Sequence, residues 1–304
     1  MRVYTHAACF AHDTGPGHPE HAGRLAAVTD ALREAFGDRL DWRDAPRATR
    51  DQLLRAHAPS LLDLVLDSAP TQRIALDPDT SLSPASAEAA LRAAGAAVAA
   101  VDAVLGEGET RAFCAVRPPG HHATRDTAMG FCLFNSVAVA ALHALEAHGL
   151  QRVAIADFDV HHGNGTQAIF AREPRVLFAS SHQLPLYPDS GRSSERGVGN
   201  LANAPLPPGA GGDAFRAAWR DTLLPALDAF APQLLLVSAG FDAHARDPLA
   251  QLELAADDYA WITRELAAVA QRHARGRIVS LLEGGYDLQA LRESSVAHVG
   301  ALLA

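Results

Sequence analysis

The chain has 304 residues, 48% hydrophobic and 20% charged, the proportions of a globular protein with enough apolar mass for one large α/β domain or two small ones. A formal charge of −9 and a pI near 5.9 argue against nucleic acid as a direct partner and suit a cationic one. All 26 basic residues are arginine, which excludes lysine chemistry such as Schiff-base formation.

The opening MRVYTHAACF carries one basic residue and turns polar within a few positions, which predicts neither a secretory signal nor a transit peptide. No segment reads as an apolar run long enough to span a bilayer, so a cytoplasmic protein with no membrane partner is expected. Cys9, Cys114 and Cys132 stand apart among small apolar residues, as reduced buried thiols do.

A short strand at 2–5 leads into HDTGPGHPEHAGR, where proline and glycine forbid regular structure until Pro19 and Glu20 open a helix to about Phe36. A strand at 40–43, two short helices at 49–55 and 59–68, and the turn-rich DPDTSLSP follow. Residues 85–105 carry leucine and valine at helical spacing among alanines, the pattern of a helix packed closely on a sheet. The strand 111–116 runs into RPPGHHA, whose prolines stiffen a turn that presents His121 and His122.

A helix at 135–148, a strand at 152–160, a short helix at 166–171 and a strand at 175–180 come next. Residues 182–212 are expected to be irregular, and a loop that long is usually functional. The rest is a helix at 213–230, the buried apolar strand in QLLLVSAGFDAH, a helix at 256–273, the strand in RIVSLLEGGYDL and a final helix from Leu288. Strands alternating with helices predict one α/β domain, residues 1–304, with a mostly parallel sheet covered on both faces. Ligands of such sheets bind beyond the carboxyl ends of the strands, where RPPGHHA, DFDVHHGNG, SAGFDAH and EGGYDL all fall.

In AIADFDVHHGNG, strand alternation places Asp157, Asp159 and His161 on one face. Two carboxylates and an imidazole suit a borderline divalent ion such as zinc or ferrous iron. Solvated surface acids are a poorer reading, because Val153, Ile155 and Phe158 mark a buried strand and unpartnered buried acids are costly.

These four motifs in this order resemble the histone deacetylase family, more narrowly its class II branch with the bacterial deacetylase-like amidohydrolases and acetylpolyamine amidohydrolases. The resemblance begins at GHPEHAGR, although His21 and Ala22 replace the usual arginine and proline. It implies the arginase-deacetylase fold with an eight-stranded sheet, and one catalytic zinc held by Asp159, His161 and Asp242. It casts His122 as general base and acid and His121 as an electrostatic partner of Asp157. Asn164 pairs with His122 where class I relatives have aspartate, and an amide leaves the imidazole less basic. Tyr286 stabilises the oxyanion, as one well-placed donor does by about 3 kcal/mol.

The resemblance further implies structural potassium at Asp157, Asp159 and His161 with Ser180 and Ser181, and a second monovalent site on carbonyls around Phe170, Glu173, Val176 and Asn200. Gly130, Phe131 and Tyr187 match the walls of an acyl-lysine channel, Gly285 joins the substrate residues, and Arg24 matches an arginine of an inner cavity through which acetate leaves. Leu249 stands where polyamine-preferring relatives carry glutamate, which favours acyl-lysine, and Asp79 or Asp77 is matched to the substrate backbone at the rim. Cys132 reads as a buried thiol.

The expected function is a zinc-dependent amidohydrolase that removes acetyl or another short acyl group from lysine side chains or related amines, in a monomer or a homo-oligomer. Competing readings are an acetylpolyamine amidohydrolase, a two-manganese arginase-type enzyme and a non-catalytic acyl-group reader. The second metal set an arginase needs is not visible in the sequence.

Overall fold

The computed structural model describes all 304 residues. Ten strands are formed: β1 Arg2–Thr5, β2 Asp41–Asp44, β3 Ile74–Ala75, β4 Ser81–Leu82, β5 Arg111–Cys114, β6 Val153–Asp157, β7 Val176–Gln183, β8 Leu201–Leu206, β9 Leu234–Ala239 and β10 Ile278–Leu282. Eight of them make one sheet in the order β2-β1-β5-β10-β9-β6-β7-β8, with every pairing parallel. The remaining two, β3 and β4, form a small antiparallel hairpin in the DPDTSLSP region.

The central strands β6, β9 and β10 are buried at every residue, as parallel strands covered on both faces must be. They owe their apolar runs to that double burial, and one continuous core reaches from Val3 to Leu302. The helix Ser86–Gly106 contacts β5, β1 and β10. Its alanine-rich face lets the backbone approach the sheet, and Gly95 touches the backbone of residues 46–48. Contrary to the reading from sequence, this helix is long and apolar enough to cross a membrane by length and composition alone, with a mean hydropathy of 1.5 over its apolar window. Burial of two thirds of that window accounts for the apolar character, since the sheet is its solvent.

Three boundaries differ from expectation for identifiable reasons. First, the strand carrying the aspartates stops at Asp157, not Val160: Asp157 Oδ1 accepts from the Asp159 N–H at 3.1 Å, a side-chain turn that draws the chain out of the ladder. Second, β8 lies inside the stretch expected to be irregular. Asn203 and Pro205 disguise it, and Pro205 is tolerated because β8 is the sheet edge, with no neighbour beyond it. Third, the helix after GHPEH begins at Ala22, capped by His21 Nδ1, which accepts from the Gly23 N–H at 3.1 Å, while Glu20 turns inward. The three cysteines are free and buried, as expected.

Candidate active site

The ends of β5, β6, β9 and β10 are neighbours in the sheet, so the loops after them meet. At their meeting point His161 Nδ1 and carboxylate oxygens of Asp159 and Asp242 lie within 4.8 Å of one another, all buried. Nδ1 is 3.2 Å from Asp159 Oδ1 and 3.1 Å from Asp242 Oδ2. The remaining oxygens are fixed by backbone donors: the Gly284 N–H to Asp159 Oδ2 at 2.8 Å and the Val160 N–H to Asp242 Oδ1 at 2.9 Å. A Cβ at Gly240 would stand 1.9 Å from Asp159 Oδ2, and one at Gly284 2.0 Å from Asp242 Oδ2, so the carboxylates occupy space that only glycine leaves.

Two buried carboxylates against one imidazole carry excess negative charge in a low-dielectric place, which is costly without a cation. Burial opposes a charged His161, yet its hydrogen bonds to Asp159 and Asp242 outweigh that and raise its pKa to about 10, a sign of how strongly the position attracts positive charge. One imidazole nitrogen and two carboxylates leave coordination positions open, and the set fits the divalent ion expected there.

Beside this cluster the two adjacent histidines divide. His121 Nδ1 is 3.0 Å from Asp157 Oδ2 and its Nε2 is 3.8 Å from Asp159 Oδ1. Burial works against its charge, but Asp159 and Asp157 outweigh burial and hold its pKa well above the usual histidine range. His122 Nδ1 is 2.8 Å from Asn164 Oδ1, which can only accept, so Nδ1 carries the proton and Nε2 keeps its lone pair. Burial, reinforced by His121 and His161, keeps His122 neutral, its pKa well below the usual value. The alternation argument thus fails for Asp157: it orients His121 while Asp159 and His161 reach the metal position from the loop.

The cluster opens into a cavity of about 230 Å³ lined by Asp79, His122, Gly130, Phe131, His161, Leu186, Tyr187, Leu249 and Tyr286. Tyr187 stands edge-on to His122 with ring centroids 5.2 Å apart, and Phe131 edge-on to Tyr286 at 5.9 Å. Aromatic walls around a histidine, a metal-type donor and a tyrosine form a narrow slot with polar groups at its closed end.

Residues 18–302 match the histone deacetylase domain. The chain belongs to the histone deacetylase family. It is 43% identical over 274 residues to the histone deacetylase-like amidohydrolase of Pseudomonas aeruginosa, covering 88% of this chain and 72% of that one. To a probable deacetylase of Archaeoglobus fulgidus it is 37% identical, covering 99% and 85%. The crystal structure of the HDA15 HD domain superposes with a TM-score of 0.94 at 34% identity, covering 99% of this chain and 88% of that one. The chain is therefore a hydrolase of the deacetylase family, with that family's fold.

Several further residues named from the sequence stand around this slot, not all of them on its walls. Arg24 is buried beneath Tyr286, on the inner side of the slot, its Cζ 4.8 Å from the ring centroid, donating through Nε to the Gly285 carbonyl at 2.5 Å and through Nη2 to that of Glu283 at 2.6 Å. Gly285 likewise serves Arg24 and is absent from the lining. Asp77 braces the rim turn, accepting from the N–H groups of Asp79 and Thr80 at 2.9 and 2.6 Å, and only Asp79 faces the cavity.

Ser180 pairs with Asp157 across β6 and β7, and its Oγ is 2.9 Å from His182 Nδ1. Ser181 Oγ accepts from Trp219 Nε1 at 2.9 Å. The carbonyls of Phe170, Glu173 and Val176 converge, but on the side-chain amide of Asn200, at 2.8, 3.0 and 2.8 Å. The Asn200 carbonyl accepts from Phe178 in the ladder.

Three contributors were not singled out in the sequence. Glu283 Oε2 accepts from the Gly120 and His121 N–H groups at 2.6 and 3.2 Å and so sets the loop carrying both histidines; burial pushes it up to about 7. Asp247 Oδ2 accepts from the Tyr286 N–H at 2.8 Å and its Oδ1 from the Leu249 N–H at 3.0 Å. Glu20 takes both Arg117 and Arg24 in a buried ion cluster. The only sequence signal was their place inside or beside the motifs: GHPEHAGR, SAGFDAH and EGGYDL.

Proposed function

We propose that this hydrolase removes acetyl or another short acyl group from the side chain of lysine, or from a related small amine, with zinc held by Asp159, His161 and Asp242. The observation that carries the reading is the slot in which neutral His122, His161 and Tyr286 share one closed end between the rings of Phe131 and Tyr187. An extended aliphatic chain fits such a slot, and its acyl group reaches the polar end.

When bound, the ion polarises the acyl oxygen and makes water acidic enough to attack at neutral pH. His122 Nε2, its lone pair preserved by the Asn164 contact, takes a proton from the attacking water and delivers it to the departing amine nitrogen as the C–N bond breaks. Protonated His121, fixed by Asp157, places positive charge beside the oxygen that becomes negative. The Tyr286 hydroxyl donates to that oxygen. Phe131 and Tyr187 exclude water from the chain, and apolar Leu249 at the mouth favours acyl-lysine over a polycation. A structural potassium ion beside Asp157 and Ser180 and a cytoplasmic location belong to the same proposal.

Turnover of a fluorogenic acetyl-lysine substrate, of acetylputrescine and of acetylspermidine, each with and without a zinc chelator, tests it. Chelator-sensitive hydrolysis with preference for acetyl-lysine is expected. A strong preference for the polyamines would transfer the assignment to acetylpolyamine hydrolysis, and binding without turnover on every acylated amine would refute catalysis.

A further inference from the structure

A second set of metal-type donors lies outside the catalytic cavity, and none of its members lines it. Asp102 projects from the helix Ser86–Gly106, His143 from the helix Ser136–Glu146, and His148 follows that helix by two residues. Both Nε2 atoms stand 2.7 Å from the same carboxylate oxygen, Asp102 Oδ1, and all three donor atoms lie within 4.8 Å of one another. The imidazole rings are 5.3 Å apart and nearly perpendicular, so the two nitrogens aim at one point from different directions. His143 is buried with its ring fixed, whereas the Asp102 and His148 side chains are 43% and 26% exposed, which leaves solvent a way in.

We propose that Asp102, His143 and His148 form a second divalent metal site that staples the two helices together. Two imidazole nitrogens and one carboxylate oxygen, with water completing the shell, suit a borderline ion of the zinc and cobalt type and not a hard ion that prefers oxygen alone. Arg55 Nη1 stands 2.9 Å from His143 Nδ1, and Arg55 Nε 3.1 Å from Glu146 Oε2. Loading an ion at Nε2 moves the ring proton to Nδ1. The guanidinium then turns from Nδ1 towards Glu146, which already holds it.

The test titrates Zn²⁺ by calorimetry, and Co²⁺ by its visible spectrum, into enzyme already carrying one ion per chain. The wild type takes up one further equivalent. His148→Ala and Asp102→Asn lose that equivalent while keeping the first equivalent and the hydrolytic turnover, because neither residue touches the cavity. No further uptake by the wild type overturns the proposal, as does undiminished uptake by either variant. Displacement of the second ion by equimolar Mg²⁺ also overturns it, since that marks a hard oxygen site.

Discussion

Two histidines adjacent in the chain end with opposite preferences for a proton, and the difference lies in one atom of each partner. Asp157 offers His121 a negative oxygen, while Asn164 offers His122 a neutral one. Replacing Asn164 by Asp supplies the missing charge: an opposite charge at hydrogen-bond distance raises the pKa of an imidazole by about one unit or more. His122 then stays protonated, and useless as a base, to higher pH, so the acid limb of kcat/KM in Asn164→Asp moves to higher pH; an unmoved limb counts against His122 as the base. On the proposed mechanism Tyr286→Phe removes one donor to the developing oxyanion, so it is expected to lower kcat by about 10²–10³ with little change in KM, as read from steady-state kinetics. Full activity in that variant, or in His122→Ala, would remove these residues from the mechanism.

At the scale of the element, the site depends on where strands stop. β6 ends because the Asp157 side chain captures the Asp159 N–H, and the short loop beyond it presents Asp159 and His161 towards Asp242 from the neighbouring β9. The loops after β9 and β10 meet so closely that Gly240 and Gly284 touch the carboxylates of Asp159 and Asp242. Gly284→Ala forces its Cβ against Asp242 Oδ2, so bound zinc by elemental analysis is expected to fall sharply while the far-ultraviolet circular dichroism stays that of the wild type. Asp247 joins the same two loops, holding the backbone of Tyr286 and of Leu249 with one carboxylate. In Asp247→Ala both lose their acceptor, so kcat falls and discrimination between acyl-lysine and acylpolyamine weakens together; a change in only one of them would show that the two loops are not coupled through this residue.

Across the whole molecule, the floor of the site rests on charge. Arg117 binds Glu20 bidentately, Arg24 adds an Nη1 contact at 2.8 Å, and all three side chains are fully buried. Removing one member of such a cluster leaves uncompensated buried charge, at a cost of about 3–5 kcal/mol. Glu20→Gln is therefore expected to lose that much stability by urea denaturation at pH 7. Burial alone would raise the pKa of Glu20, but Arg117 and Arg24 outweigh it and lower it to about 2, against 4.5 for an unperturbed glutamate. Its contribution is thus complete above pH 4.5 and drains away as the pH falls towards 2. The stability gap between wild type and Glu20→Gln narrows over that range, and a constant gap would show that Glu20 is not ionised in the native state.

The sequence by itself determined the alternation of strands and helices, the motifs at strand ends and the family, because periodicity, turn residues and ligand spacing are written within a few neighbouring positions. The candidate ligands Asp159, His161 and Asp242, both histidines and the tyrosine could be named because the short motifs that carry them resemble those of the family. Only the tertiary structure decided that Arg24 braces Tyr286 from below, that the Asn200 amide gathers the carbonyls of Phe170, Glu173 and Val176, and that Glu283 carries the His121 loop. Those roles are contacts across the sheet: Gly284 reaches Asp159 over 125 positions and Glu283 reaches Gly120 over 163. A hydrogen bond at that separation leaves no local pattern, since its partners are neighbours only through the strand order. Edge strand β8 was hidden for a related reason: its proline and asparagine, Pro205 and Asn203, read as loop until the position at the sheet edge makes them permissible.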